Sequence, residues 1–318
     1  MMPMTKPFKI LLAGTISFLA LGQIASAADP ESCSPVRFSD VGWTDITATT
    51  ATASVLLKAL GYETDVKVLS VPVTYSSLKN KDIDVFLGNW MPTMEADLAP
   101  YREDKSVESY GPNLTGAKYT LATNAKGAEL GITDFKDIAE HAEELDGQIY
   151  GIEPGNDGNR LILDMVANDT FGLKDFDVVE SSEQGMLAQV ARADRSGDPI
   201  VFLGWAPHPM NASFDLTYLS GGDEVFGANY GGAEVYTNVR AGYTEECPNV
   251  GTFVKNLEFS LPMENEIMGS ILNDSMEAEA AATKWLKANP DAIGPWLEGV
   301  TTRDGGDAMA AVKSELGL

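Results

Sequence analysis

The sequence predicts an α/β fold with two lobes, each a mostly parallel sheet flanked by helices, joined by a hinge of two chain crossings. Three observations predict it. Short apolar strands alternate with helical segments of roughly 10–15 residues, which is the pattern of βαβ units. Two runs of such units follow one another along the chain. Each run ends in Val-Phe-Leu-Gly, at 85–88 and again at 201–204, with a tryptophan and a proline close behind.

The first run is predicted to begin with a strand in 34–43 ("SPVRFSDVGW") and a helix in 45–61. An alternating strand follows in 62–71 ("YETDVKVLSV"). A short helix around 73–80 then leads into the buried strand 82–88 ("DIDVFLG"), which contains the first copy of the repeated phrase.

The second run repeats the alternation of strands and helices. Its predicted strands are 117–124 ("AKYTLATN"), 148–155 ("QIYGIEPG"), 176–182 ("FDVVESS") and 199–205 ("PIVFLGW"). Its predicted helices are 135–147, 157–169 and 183–197.

After the second run the chain adds the strand-like segments 214–220 and 233–243 and then becomes mostly helical. Such a helical tail needs a sheet to cover. The economical arrangement is therefore a first lobe of residues 28–115 with 215–318, and a second lobe of residues 116–214.

The N-terminus has the pattern of a secretory signal peptide. Lys6 and Lys9 precede an apolar stretch, "ILLAGTISFLALG", which ends before the small residues Ala25–Ala27. The stretch is too short for a stable membrane span. We therefore expect residues 1–27 to be cleaved and the mature protein to be exported. No cysteine lies directly after the predicted cleavage site, which argues against a lipid anchor.

The sequence contains two cysteines, Cys33 and Cys247. In an oxidising compartment a single disulfide is the default expectation, with two free thiols as the alternative. A bridge would hold the helical tail against the first run. Because it would close a very long loop, the chain-entropy treatment gives it a stabilising effect of up to about 5 kcal/mol.

Composition excludes several classes of function. The formal net charge is −25, and removing the two signal-peptide lysines lowers it to −27, which argues against nucleic acid or anionic membrane as a partner. The charge attracts cations weakly, although an acidic solvated surface is the commoner explanation of such a charge. Two distant histidines make no usual zinc site, and no nucleophile or phosphate-binding motif is present. We expect no metal, no cofactor and no catalytic residues.

Three tryptophans, Trp43, Trp90 and Trp205, are predicted to follow strands. Ligands of open α/β sheets bind outside the carboxyl ends of strands, so two facing lobes would bring these indoles into one cleft. Each could instead cap the core of its own lobe. Aromatic clusters in clefts bind sugars by stacking, or cations through the ring quadrupole.

Five segments, taken together and in this order, resemble the periplasmic choline- and betaine-binding proteins of ABC importers. They are "GWTD" at 42–45, "FLGNWMP" at 86–92, "AKYTLAT" at 117–123, "EPGNDGNR" at 153–160 and "FLGWAPHPMN" at 202–211. The resemblance covers essentially the whole mature chain. It implies a type II-like periplasmic binding protein, monomeric and not an enzyme, whose partner is a membrane permease.

The resemblance also implies a site. Its aromatic cage would consist of Trp43, Trp90, Tyr119 and Trp205, with Asp45 and Asn156 at the polar end of the ligand. Asn156 also lies in a glycine-rich turn before a helix, where free N–H groups favour a polar ligand group. The alternative for Asn156 is a simple N-cap.

Asp45 bears on the choice of ligand. A carboxylate can accept a hydrogen bond from the hydroxyl of choline, whereas it would repel the carboxylate of glycine betaine. Arg160 lies one helical turn past Asn156 and is expected to point elsewhere. We therefore predict choline as the ligand, with acetylcholine as a further ligand and betaine as a weaker one.

Three other functions stay open at this point. The first is a transport protein for glycine betaine or proline betaine, and the second is a sugar-binding transport protein. The third is a secreted glycoside hydrolase, in which Asp45 and Glu153 would form the carboxylate pair.

Overall fold

The computed structural model describes residue 1 and residues 29–318. The predicted signal peptide, apart from its first residue, lies outside the described residues. Across the described part of the chain, strands and helices alternate as the sequence predicts, and the fold is mixed α/β. None of the described helices is both long enough and apolar enough to cross a membrane.

The strands of the described residues belong to one sheet with nine members. They are β1 (Val36–Asp40), β2 (Thr64–Val68), β3 (Val85–Met91), β4 (Val107–Asn124), β5 (Gln148–Tyr150), β6 (Asp177–Val179), β7 (Val201–Ala206), β8 (Leu216–Tyr218) and β9 (Gly232–Arg240).

The α-helices fall into two sets, those between the strands and those of the C-terminal tail. The first set is α1 (Thr44–Ala59), α2 (Val71–Lys79), α3 (Glu95–Glu103), α4 (Ala125–Leu130), α5 (Asp137–Glu140), α6 (Asp157–Ala167), α7 (Glu183–Ser196), α8 (Met210–Ser213), α9 (Asp223–Phe226) and α10 (Ala228–Gly231). The second set is α11 (Tyr243–Glu246), α12 (Pro248–Asn256), α13 (Leu261–Leu272), α14 (Ala278–Ala288), α15 (Ile293–Trp296) and α16 (Ala308–Leu316).

Two groups of parallel strands form the ends of the sheet, whose order is β2-β1-β3-β9-β4-β7-β5-β6, with β8 paired to β4. We call β2, β1 and β3 the first half-sheet, and β7, β5 and β6 the second half-sheet. Within each half the strands are parallel. The antiparallel strands β9 and β4 join the two halves.

Strand β4 is the longest element of the sheet, and it passes from one half to the other. Its residues from Val107 to Lys118 pair with β9, and those from Lys118 to Thr123 pair with β7. Strand β9 in turn pairs with β3. The two half-sheets are thus connected through the paired strands β9 and β4.

The C-terminal helices α13, α14 and α16 pack on α1, which lies on the first half-sheet. A disulfide between Cys33 and Cys247 ties the start of the described chain to the beginning of this tail. The predicted disulfide is confirmed, and the tail packs on the helix of the first run, α1.

One predicted helix is mostly wrong. The structure replaces the expected helix in 135–147 with the single turn α5, followed by further turns. The segment buries only Phe135, Ile138 and Leu145 among its apolar residues. This is too little apolar surface per turn to hold a longer helix against the sheet, because packing supplies most of the stability of helices in proteins.

Each copy of Val-Phe-Leu-Gly forms a buried strand segment, and its glycine allows a close contact with a neighbouring element. In β3 a Cβ at Gly88 would lie 2.7 Å from Ile46 Cγ1, so only glycine allows α1 to approach the strand so closely. In β7 a Cβ at Gly204 would lie 3.0 Å from Cβ of Ala122 on the neighbouring strand β4. The tryptophans after each glycine are the last or nearly last residues of their strands rather than residues beyond them.

Loss of the disulfide should destabilise the protein without changing its fold. The bridge spans 214 positions in sequence, and its removal enlarges the conformational entropy of the unfolded chain. We expect the double substitution Cys33→Ser with Cys247→Ser to lower the free energy of unfolding by about 2–5 kcal/mol. Urea unfolding followed by circular dichroism measures this change. Reduced wild-type protein is the control and should match the variant; an unchanged midpoint would contradict the prediction.

Candidate functional site

A small cavity lies between the two half-sheets, with a volume of about 10 Å³ open to the centre of a water-sized sphere. Both halves contribute to its wall, and all the side chains in it are aromatic, aliphatic or acidic. The residues that line it are Trp43, Asp45, Trp90, Tyr119, Ile152 and Trp205. Five of these six are residues that the resemblance implied for the ligand site.

The first half supplies three of the lining side chains. Trp43 is the N-cap residue of α1, and Asp45 lies in the first turn of that helix. Trp90 lies near the end of β3, a strand on which α1 packs. The contact between α1 and Gly88 therefore places Trp43, Asp45 and Trp90 side by side.

Tyr119 and the second half supply the remaining wall. Tyr119 lies in β4 opposite Trp205 of β7. Ile152 follows β5. A Cβ at Gly158, in the first turn of α6, would overlap the hydroxyl of Tyr119, so this glycine makes the space that the tyrosine ring occupies.

Tyr119 is the centre of the aromatic cluster. Its ring centroid lies 5.9 Å from that of Trp90 and 6.3 Å from that of Trp205, with an interplanar angle of 83° to the latter. Outside the cavity Phe226 packs edge-on against Tyr119 at 6.0 Å, and His208 packs against Trp205 at 4.9 Å. These contacts hold the rings in the orientations that edge-to-face pairs favour.

Hydrogen bonds fix the polar edges of three of the rings. The indole N–H of Trp90 donates to Asp45 Oδ2 at 3.1 Å, and that of Trp43 donates to a carboxylate oxygen of Glu153. The hydroxyl of Tyr119 donates to Asn156 Oδ1 at 3.1 Å. With their polar atoms engaged, these rings present mainly aromatic carbon to the cavity.

Asp45 is the polar group of the cavity wall. It is only 1% exposed, and its Oδ1 has no hydrogen-bond partner among the described residues. Burial raises the pKa of Asp45 to about 8, and the nearby negative charge of Glu183 adds to the rise. A buried carboxylate oxygen without a partner is costly, and such an atom on a cavity wall marks a place for a ligand donor or a positive charge.

Other acids surround the cavity. Burial raises the pKa of Glu153 to about 7 and that of Asp157 to about 6, and neighbouring carboxylates add to both shifts. A cation in the cavity would lower these pKa values again, because a positive charge nearby favours the ionised forms. The site is therefore electrostatically suited to a cation. Within residues 29–318 no group of acidic, histidine or cysteine side chains has an arrangement that could hold a metal ion.

Asn156 does not belong to the cavity wall in this structure. It is the N-cap residue of α6, and its Oδ1 accepts from the backbone N–H of Asn159 at 2.9 Å as well as from Tyr119. Its side-chain amide donates to Asp157 Oδ1 at 3.3 Å. The N-cap alternative is thus observed, and a direct contact between Asn156 and a ligand stays a prediction.

Arg160 points away from the cavity, as expected. Its Nη2 donates to Asp97 Oδ2 at 2.8 Å and to the carbonyl oxygen of Thr93 at 3.1 Å. Asp97 lies in α3 on the side of the first half-sheet, whereas Arg160 lies in α6 beside the second. The salt bridge therefore crosses between the halves and helps to hold them together.

Sequence reasoning missed three residues in or next to the cavity wall. Ile152 precedes the glycine-rich turn and carries no signal that separates it from a core residue. Glu153 entered only as a member of a hypothetical catalytic pair, although it is adjacent to that turn. Glu183 begins α7 far along the chain, and nothing in the sequence connects it with α1, to which it is hydrogen-bonded.

Comparison with known proteins places the chain among transport proteins. A sequence profile described as the substrate binding domain of ABC-type glycine betaine transport system, OpuAC, matches residues 34–288. A glycine betaine/carnitine transport binding protein, GbuC of Listeria monocytogenes, is 33% identical over 190 residues. That match covers 59% of this chain and 60% of the length of GbuC.

Two solved structures are similar over almost the whole described chain. An ABC-transporter choline binding protein in complex with choline is 78% identical, with a TM-score of 0.90, and the match covers 91% of this chain and 100% of that one. An ABC-transporter choline binding protein in an unliganded semi-closed conformation is 79% identical, with a TM-score of 0.84 and the same coverage. The present structure thus has the higher similarity to the liganded conformation.

The stability of the ligand-free protein should depend on pH through Asp45. The pKa of this group is about 8 in the folded state and near 3.8 when unperturbed, so the folded protein binds the extra proton between these values. The stabilising contribution is complete below pH ~4 and is lost as the pH rises through about 8. We expect the free energy of unfolding to fall from pH 5 to pH 8, and Asp45→Asn to reduce this fall.

Urea unfolding of ligand-free protein at several pH values measures the slope. Asp291→Asn, which changes an exposed carboxylate remote from the cavity, is the matched control and should leave the slope as it is in wild type. An equal slope in wild type and Asp45→Asn would show that Asp45 is not the titrating group.

Proposed function

We propose that this chain, which belongs to the OpuAC family of substrate-binding domains of ABC-type glycine betaine transport systems, binds choline in the cavity between its two halves and delivers it to a membrane permease. The observation that carries the proposal is the composition of the cavity wall. Three indoles and a phenol ring converge there with one carboxylate oxygen that has no partner.

The aromatic wall suits a quaternary ammonium group. Such a cation has no N–H to donate, so hydrogen-bond acceptors cannot recognise it. The faces of aromatic rings can, and each desolvated cation–π contact contributes roughly 0.5–2 kcal/mol. In our proposal Trp43, Trp90, Tyr119 and Trp205 surround the trimethylammonium group.

Asp45 recognises the hydroxyl end of the ligand. Its Oδ2 already accepts from Trp90, so Oδ1 is the atom available to the hydroxyl of choline. The same carboxylate also supplies the negative charge that a buried cation requires. Asn156 completes the polar end in our proposal, either by direct contact or by orienting the hydroxyl of Tyr119.

The family includes proteins that transport glycine betaine, so the choice of choline needs a specific reason. A trimethylammonium group in the cage favours the ionised form of Asp45. A ligand carboxylate would then lie against a second carboxylate, and like charges in a desolvated cleft cost several kcal/mol. Arg160, the basic residue nearest to the glycine-rich turn in sequence, is engaged by Asp97. The high identity to a protein solved with choline bound supports the same choice.

Closure of the two halves around the ligand would produce the transport signal. We assign residues 28–115 with 215–318 to the first lobe and residues 116–214 to the second, with β4 as one crossing. We move one boundary of this division, because the pairing of β8 with Ala122–Asn124 favours keeping residues 216–218 in the second lobe and a return crossing between Tyr218 and Gly232. Ligand then stabilises the closed form through its higher affinity for it. We further propose that the protein acts as an exported periplasmic monomer.

The relatives are substrate-binding proteins of transport systems and not enzymes, which removes the glycoside hydrolase hypothesis. The carboxyl group of Glu153 is also engaged by the indole of Trp43, as a structural partner of the cage. A sugar would find few free hydrogen-bonding groups on this wall, because the polar atoms of Trp43, Trp90 and Tyr119 already have partners.

Removal of either tryptophan from β3 or β7 should weaken choline binding. Trp90→Ala and Trp205→Ala each lose one face of the cage together with its buried area, so we expect a loss of about 1–4 kcal/mol in binding free energy. Isothermal titration calorimetry on ligand-stripped protein measures this loss. Trp285→Phe changes a half-buried tryptophan of α14, remote from the cavity, and should bind choline as wild type does. Unchanged affinity in both alanine variants would remove these rings from the site.

Asp45 should determine the preference between choline and glycine betaine. We expect wild type to bind choline at least about tenfold more tightly, since each factor of ten corresponds to only about 1.4 kcal/mol of the like-charge penalty. Asp45→Asn should weaken choline and bring the two ligands closer in affinity. Calorimetric titrations with choline, acetylcholine and glycine betaine test this; equal or tighter betaine binding by wild type would refute the role of Asp45.

A further inference from the structure

Glu183 is a buried carboxylate for which the proposed cage has no role. It is the first residue of α7, beside the second half-sheet, and it does not line the cavity. Its side chain is fully buried. Its hydrogen-bond donors nevertheless include the first residue of α1, on the first half: Thr44 donates its backbone N–H to Oε2 at 2.8 Å and its hydroxyl to Oε1 at 2.5 Å.

Helix α1 needs this carboxylate. The first N–H groups of a helix have no partner within the helix, and a side chain at the N-cap usually accepts from one of them. The N-cap of α1 is Trp43, which has no acceptor, and no side-chain cap is formed there. By contrast, α6 and α7 are capped by their own N-cap residues, Asn156 and Ser182. Glu183 is the substitute cap of α1, and its negative charge also suits the positive end of the helix.

Thr44, the residue that bonds to Glu183, lies between two residues of the cavity wall. Thr44 stands between Trp43 and Asp45 in the chain, so a bond that fixes its backbone fixes both neighbours. The pair of bonds from Thr44 crosses between the halves of the molecule. It can therefore form only when the halves are together, which is the state in which the cage is complete.

The same carboxylate is linked to the opposite wall of the cavity. His208 Nδ1 accepts the backbone N–H of Met210 at 2.9 Å, so in the neutral ring the proton is on Nε2. Nε2 lies 3.3 Å from Glu183 Oε1 and donates to it. The ring of His208 packs on Trp205. Glu183 thus connects the start of α1 with the tryptophan of β7.

We infer that Glu183 is a positioning residue for ligand binding: on closure its carboxylate caps α1 and holds Trp43 and Asp45 in the geometry that the cation requires. The inference rests on the proposed function, because the two held residues are members of the proposed choline cage. Glu183 itself does not touch the ligand. Its effect should appear as slower dissociation of the closed complex rather than as faster capture.

Two variants remove different parts of this contact. Thr44→Val removes the hydroxyl donor and keeps the shape and the charge, whereas Glu183→Gln removes the charge and keeps the shape. A hydrogen bond to a charged group is worth enough to change affinity about 10- to 100-fold, and we expect a weakening of choline binding in this range for each variant. Stopped-flow tryptophan fluorescence should place most of the change in the dissociation rate. The double variant should lose less than the product of the single losses, because both act on one contact.

Thr47→Val is the matched control. It removes a hydroxyl-to-carboxylate bond of 2.6 Å from the next turn of the same helix, but that bond, to Asp40, lies within the first half. It should lower the melting temperature of the ligand-free protein and leave choline affinity unchanged. Thr44→Val should do the reverse, with an unchanged ligand-free melting temperature and a smaller rise on addition of choline.

The outcomes separate this inference from the proposed function. Wild-type affinity in Thr44→Val and Glu183→Gln, together with weak binding in Trp90→Ala, would overturn the positioning role and leave the cage in place. If Glu183→Gln binds choline weakly while Thr44→Val binds it as wild type does, Glu183 acts through its charge on the cation. That result would also overturn the positioning role. A lower ligand-free melting temperature in Thr44→Val would assign the contact to general stability. Wild-type affinity in Trp90→Ala and Trp205→Ala would overturn the cage itself.

Discussion

The burial of negative charge without a basic partner is the constraint on which this site depends. Asp45, Glu153 and Glu183 lie around one cavity, and across residues 29–318 none of them forms a salt bridge with lysine or arginine. Taking a carboxylate out of water costs several kcal/mol, and the protein can offset this cost only by protonation, by hydrogen bonds or by a bound cation. The raised pKa values of Asp45 and Glu153 are the sign of that unmet cost. An aromatic wall then restricts the cation to one that needs no hydrogen-bond acceptor at its charged end.

The main features of the fold could be predicted from the sequence because they follow from local pattern. The alternation of strands and helices, the long buried helix α1 and the disulfide all have signals in neighbouring residues or in composition. The single continuous sheet does not, because it depends on β4 being long enough to pair with β9 at one end and β7 at the other. The helix expected in 135–147 failed for a related reason: its charged residues have helical propensity, but few of its residues find a surface to pack on.

The candidate site divides in the same way. The four aromatic residues and Asp45 lie in short segments with a recognisable order, so a resemblance between sequences is enough to group them. The contacts that hold them could not be found in this way. Glu183 and Thr44 are 139 positions apart, and their pairing arises only where two halves of the molecule meet. For Asn156 the sequence is ambiguous, since its context fits both a helix cap and a ligand contact.

The two copies of Val-Phe-Leu-Gly each lead to a tryptophan of the cavity wall, one in each half-sheet. The second copy is followed directly by Trp205, whereas Asn89 intervenes between Gly88 and Trp90. Alternation along a strand would turn the two indoles to opposite faces relative to their glycines. The pairing of β3 with β9 is irregular between Phe86 and Asn89, and an irregularity of this kind re-aims the side chains that follow it. The extra residue and the shifted register act together, so that Trp90 meets Tyr119 from the first half while Trp205 meets it from the second. The aromatic cage is therefore a property of the joined sheet, and neither half could provide it alone.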